Sequence, residues 1–123
     1  MVWKSVEPLL AEAMEYSNFD TTADILEELK NQKALLWIVH TGPDIDAALV
    51  TQLKTDKHGK LLAIWALAGK FMDHWLHLHS GIAAYAKREG CNRMIHELRP
   101  GFARVMSKQF GYRVTHATIE KAI

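Results

Sequence analysis

The chain has 123 residues, a formal net charge of +1, 49% hydrophobic and 24% charged residues, and one cysteine. That length suits one domain over residues 1–123, and the near-neutral balance excludes the basic excess on which bulk nucleic-acid binding depends. A lone Cys91 has no partner for an internal disulfide, which fits a reducing compartment.

Residues 1–33 read as helical. Ser5 caps a first helix beginning near Pro8, with Leu9, Leu10, Ala13 and Met14 at helical spacing. Trp3 precedes that helix and is expected to serve as a docking anchor near the terminus. After Asn18 to Asp20, Thr21 or Thr22 caps a second helix with Asp24 in its first turn and Ile25, Leu26 and Leu29 facing inward.

From Ala34 the period changes. Ala34 to Val39 is a short apolar run ending at the turn residues Thr41-Gly42-Pro43-Asp44, hence a buried strand. Ile45 to Leu53 and Lys60 to Ala68 are two further strands, joined by the polar, glycine-ended stretch Lys54 to Gly59. Leu61 to Ala68 carries no charge, so both of its faces are covered and it lies at the sheet centre. Leu61 to Gly69 is the most apolar stretch of the chain and is far shorter than the ~20 residues that cross a bilayer as a helix. Met1 to Ser5 lacks the features of a signal peptide, so a soluble protein with no membrane partner is expected.

A long helix follows, with Met72, Trp75, Leu76, His79, Ile82, Ala83 and Ala86 at three- and four-residue spacing and Gly90 as its stop. Cys91 to Leu98 is a strand, Gly101 to Phe110 a helix opened by Pro100, and Tyr112 to Ile119 a last strand. Strand–helix–strand units need crossovers, so Lys60–Ala68 and Cys91–Leu98 pair in parallel within an otherwise antiparallel sheet. The fold class is α+β: a mixed sheet over residues 34–123 flanked by helices on both faces.

The phrase Ala86-Lys87-Arg88-Glu89-Gly90-Cys91, then Leu98-Arg99-Pro100-Gly101-Phe102, a helix, and Gly111-Tyr112 resembles the second half of the GCN5-related N-acetyltransferase (GNAT) fold. Leu35-Leu36-Trp37 before a hairpin, together with the Arg-x-Gly-Phe phrase, is similar to compact GNAT-like proteins encoded by bacteriophages. The resemblance implies an acyl-CoA whose pyrophosphate lies on a Q/R-x-x-G-x-G/A loop, where glycines let backbone N–H groups reach the phosphates. The matching segment reads Ala68-Gly69-Lys70-Phe71-Met72-Asp73-His74, so one glycine survives and Asp73 opposes a polyanion. At an effective dielectric of ~20, one like charge about 6 Å from a phosphate costs roughly 2.8 kcal/mol.

The tyrosine acid implied by the resemblance, four residues before Gly111-Tyr112, is Ser107, whose hydroxyl has too high a pKa to act as that acid. A glutamate base on the Lys60–Ala68 strand is absent. Remaining catalytic candidates are Glu97 and Ser107, and remaining cofactor-binding candidates are Gly69, Lys70, Arg99 and Arg104. Glu97 and Arg99 fall at the carboxyl end of a parallel strand, the edge that ligands favour. They serve equally as an edge salt bridge with each other or with Arg104.

No metal site is expected. His74 and His77 share a helix face, but His79 lies roughly 140° around from His74. Trp37, Trp65 and Trp75 lie on apolar stripes and read as core. Charge is uneven: Glu7 to Glu28 holds seven acidic residues and no Lys or Arg, whereas Lys87 to Arg113 is mostly basic. That asymmetry marks either a protein-binding or self-associating face, or two halves that neutralise each other within the fold.

The functional expectation is a phage-type GNAT-fold protein that has lost acyl-CoA chemistry, binds no cofactor, and acts as a structural, assembly or interaction component in the bacterial cytoplasm or the virion. The alternative is an acyl-CoA-dependent N-acetyltransferase with a divergent cofactor loop, using acetyl-CoA.

Overall fold

The first helix starts earlier than its proline suggests. In the structure, a computed structural model describing residues 2–14, 21–41, 43–69, 71–96, 100–115, 119 and 121–123, helix α1 spans Val2–Met14 with Pro8 inside it. Pro8 cannot donate to the Lys4 carbonyl, and an interior proline costs ~3 kcal/mol. Val6 and Leu10 are fully buried, and each large aliphatic side chain so placed contributes roughly 1.5–3 kcal/mol. Burial outweighs the lost bond. Trp3 packs against the same cluster and its Nε1 donates to Glu7 Oε2 at 2.8 Å, so it is part of the fold rather than a free docking anchor.

Helix α2, Thr22–Lys30, is capped by Thr21, whose side chain accepts from the Asp24 N–H while Asp24 Oδ2 accepts from the Thr21 N–H at 2.8 Å. This capping box satisfies two donors that a helix start would otherwise leave open. Then come strands β1 (Leu35–Thr41), β2 (Asp44–Asp56) and β3 (Gly59–Gly69), helix α3 (Phe71–Arg88), strand β4 (Arg93–His96) and helix α4 (Pro100–Phe110).

The sheet order is β1-β2-β3-β4, with β1–β2 and β2–β3 antiparallel and β3–β4 parallel. The parallel pair is the one expected, and β3 is an interior strand. The hairpin is tighter than its polar stretch suggests: both strands run on until only Lys57 and His58 turn. Gly59 closes that turn at φ +116°, a left-handed conformation that suits glycine. Asp56 Oδ1 accepts from the His58 N–H at 2.8 Å, and its carboxylate also takes the Arg93 guanidinium. Asn92 Nδ2 donates to the His58 carbonyl at 2.8 Å. The hairpin tip thereby clamps the start of β4 in register with β3.

Helix α3 stops as its glycine predicts. Cys91 N–H donates to the Ala86 carbonyl at 2.9 Å and Gly90 N–H to the Lys87 carbonyl at 3.1 Å, with Gly90 at φ +83°, which is a Schellman motif.

Two cores form, one on each sheet face. Val6, Leu10 and Ile25 pack on Ala34, Ala48, Val50, Ala66 and Ala68 on the α1/α2 side. Leu49, Leu62, Ile64, Ile82, Ala86 and Met106 pack on the α3/α4 side. Trp37 joins the second core and Trp65 the first as partly buried residues, while the Trp75 side chain lies outside those described.

The expected final strand is not formed at residues 112–115, and residues 116–118 lie outside those described. The Tyr112 hydroxyl lies 2.8 Å from His79 Nε2, a tertiary contact that ties this segment to α3, and Val114 is 67% exposed.

Candidate functional site

A parallel strand pair offers a crevice at its carboxyl ends, where main-chain groups and loops converge. Here the β3–β4 pairing reaches Ile64 opposite His96, while β3 continues through Trp65 to Gly69. On its other side, β3 pairs Ile64 with Thr51 and Ala66 with Val50, so Trp65 is a bulged residue with no opposite number on β2. A bulge bends and twists its strand. It also reverses the side-chain alternation: Leu62 and Ile64 belong to the α3/α4 core, but Ala66 and Ala68 belong to the α1/α2 core. The bend therefore falls one residue beyond Ile64, the partner of His96.

Gly69 ends β3 at φ +85°. A Cβ there would lie 2.3 Å from the Asp46 carbonyl oxygen and 2.9 Å from Ala47 Cα. No side chain fits. Asp46 is itself the extra residue of a second bulge, since Val39 pairs with Ala47 and His40 with Ile45. Helix α3 begins at Phe71, so the positive end of its dipole and its first-turn N–H groups stand at the carboxyl end of β3. That is the geometry in which a phosphate is held by backbone.

Two histidines on the α3/α4 side went unrecognised as site features in the sequence. His96 closes β4 opposite Ile64, with Nδ1 shut off from solvent, and burial lowers its pKa to about 4. It is neutral at physiological pH and correspondingly a weak base. His79 sits between Phe110, at a ring-centroid distance of 4.8 Å, and Tyr112, at 5.6 Å in an edge-on arrangement. Burial lowers the His79 pKa and raises that of Tyr112 to about 12, so both stay neutral and share one hydrogen bond. An ionisable residue on an apolar helical stripe was the available signal for His79.

Of the residues singled out from sequence, Gly69 lies at the crevice, Ser107 is half-buried on α4, and Arg104 is exposed one turn before it. Lys70, Glu97 and Arg99 lie outside the described residues. Among the described residues, no group of three or more His, Cys, Asp or Glu side chains converges as a metal site requires. None of the described helices is long and apolar enough to cross a membrane.

The architecture is similar to that of an acetyltransferase from Trypanosoma brucei, with 14% identity and a TM-score of 0.70 over 98% of this chain and 92% of that one. An aminoglycoside N-acetyltransferase in complex with CoA matches at 12% identity and a TM-score of 0.74, over 98% of this chain and 87% of that one. A predicted acetyltransferase with acetyl-CoA from Clostridium acetobutylicum matches at 15% identity and a TM-score of 0.64, over 82% and 71%. No protein-family model and no curated protein matches the sequence.

These likenesses establish the GNAT acetyltransferase fold. They also correct the main functional expectation. The idea of a non-catalytic component that has lost acyl-CoA chemistry is overturned by solved neighbours that are acetyltransferases, with CoA or acetyl-CoA in two of those described. The expectation of no cofactor loses its support with it.

Proposed function

We propose that this chain is an acyl-CoA-dependent N-acetyltransferase with a divergent cofactor loop, moving an acetyl group from acetyl-CoA to an amine. The observation that carries the reading is the carboxyl end of β3, which bends at Trp65 and reaches a bare Gly69 at the start of α3. Backbone N–H groups at that helix start suit a pyrophosphate, and Lys70, next in sequence to Gly69, is a cationic candidate for it. Arg99 and Arg104 are further cationic candidates for the cofactor's phosphates. Acetyl-CoA, when bound, supplies a thioester carbonyl that an amine can attack, forming the C–N bond as the C–S bond breaks.

Glu97, directly after the last residue of β4, is the candidate that takes the proton from the amine. Ser107 is a positioning candidate through its hydroxyl. Its pKa keeps it from serving as the acid for the departing thiolate, and a thiolate near its ordinary pKa of ~8.5 leaves readily without one. A bacteriophage-type origin is part of the same proposal, supported by Leu35-Leu36-Trp37 ahead of the hairpin and the Arg99-to-Phe102 phrase.

Calorimetry with acetyl-CoA tests it directly. Saturable micromolar binding is expected, weakened about tenfold in Lys70→Ala, the scale of one lost charge-assisted contact. Release of free thiol in the presence of an amine panel is expected to fall in Glu97→Gln with binding unchanged. No heat at millimolar acetyl-CoA would refute the proposal.

A further inference from the structure

Between β1 and α3 lies an open concavity of about 350 Å³, lined by Trp37, Val39, Leu78, Gly81 and His77. It is separate from the crevice. Val39 pairs with Ala47 and Ala47 with Gly69, so two strand spacings of ~4.8 Å, roughly 10 Å, separate the two across the sheet.

Gly81 is the informative residue. It stands inside an 18-residue helix, where glycine is unfavourable relative to alanine. Mid-helix glycines are usually explained by a close neighbour, but a Cβ on Gly81 would meet nothing within 4 Å. Nothing described in this chain needs that bare Cα. Gly81 lines the concavity, and its bare Cα leaves that part of the floor open.

The lining specifies the chemistry of the occupant. Trp37 Nε1 donates to Thr51 Oγ1 at 2.9 Å, and the indole packs edge-on to Tyr85 at a centroid distance of 5.6 Å. That wall is therefore fixed in place and its one polar atom is engaged within the fold. Val39 and Leu78 add aliphatic surface. His77 is the single polar side chain among the described lining residues, and none of these carries a carboxylate, ammonium or guanidinium. A volume near the lower end of the ~300–1,000 Å³ range of ligand pockets suits one ring system, not a peptide.

We propose that this concavity is a binding site for a neutral, planar aromatic group of a small molecule, lying against Trp37 and the bare backbone at Gly81 with one polar edge towards His77. The site is independent of the acyl-transfer reading, and its test reads binding alone.

The test is an amide and indole N–H titration of the full chain with indole as the probe. Saturable shifts are expected at the Trp37 indole N–H and the Leu78 and Gly81 amides. Gly81→Leu, which fills the space, is expected to abolish them while the rest of the spectrum stays folded. Gly81→Ala is expected to raise the melting temperature, because alanine favours the helix, yet to weaken indole binding several-fold. Absence of saturable shifts at millimolar indole overturns the proposal. So do shifts centred on the other tryptophans, or unchanged binding in a folded Gly81→Leu variant.

Discussion

On the α1/α2 side of the sheet, the buried core is aliphatic with Trp3 and Trp65 packed against it, and four of its sheet and loop positions are alanines: Ala34, Ala48, Ala66 and Ala68. On the α3/α4 side, the sheet presents Leu49, Leu62 and Ile64, and the surrounding shell holds His79, Tyr112, Trp37 and Tyr85. The alanines present a low surface on which α1 packs through Val6 and Leu10. The α3/α4 side combines its larger side chains with part-buried polar groups and the concavity beside Gly81. One face is a structural joint, and the other carries the groups whose ionisation and hydrogen bonding can be altered.

The sharpest way to break that comparison is to delete equivalent leucines. Leu62→Ala is expected to cost about 4 kcal/mol and Leu10→Ala about 3 kcal/mol in urea unfolding. The first opens a cavity between large neighbours that cannot close, whereas α1 can settle further onto its alanines. A greater loss for Leu10→Ala would show that the α1/α2 joint is the rigid one.

Between about pH 6.5 and pH 4, acid should act chiefly on the α3/α4 face. The His96 pKa is about 4 in the folded chain and 6.5 in the reference state, because burial disfavours the charged ring. Above pH 6.5 the group is neutral in both states. As pH falls, the unfolded chain takes the proton first, so stability is lost between about pH 6.5 and pH 4, by about 3 kcal/mol in all. His79 is shifted in the same direction by the same cause and adds to the loss. Urea midpoints measured across that window should fall steeply for the natural chain and much less for His96→Leu. An unchanged slope in that variant would place the acid sensitivity elsewhere.

Tyr112→Phe is the finest cut. It removes the hydroxyl from His79 while keeping the ring, at an expected cost of about 1 kcal/mol. It should also raise amide exchange in residues 111–115, since the tether to α3 is lost. A variant as stable as the natural chain, with unchanged exchange, would show that ring packing alone holds the segment.

Several elements were legible from residue chemistry. The Thr21–Asp24 box, the Gly90 stop and the parallel pairing of β3 with β4 follow from local donors, a left-handed glycine and crossover geometry. The candidate site was legible only in part. Gly69 was singled out as a phosphate-facing glycine, and the structure adds a different constraint on it, the Asp46 carbonyl packed against its Cα. His96 was passed over beside Glu97 because nothing in its sequence neighbours announces burial.

Local sequence determined the helices and strands up to Phe110, though not the expected strand from Tyr112, because capping, periodicity and turn chemistry act within a few residues. It did not determine that α1 runs through Pro8, that Tyr112 turns towards His79, or that Trp65 and Asp46 are bulged. Each of these outcomes is set between residues far apart in the chain: burial against another element offsets a local cost, or the register of a neighbouring strand assigns a residue no partner. Leu61 to Ala68 reads as one uninterrupted apolar strand, and only its pairing with β2 reveals the bend at Trp65 that shapes the crevice.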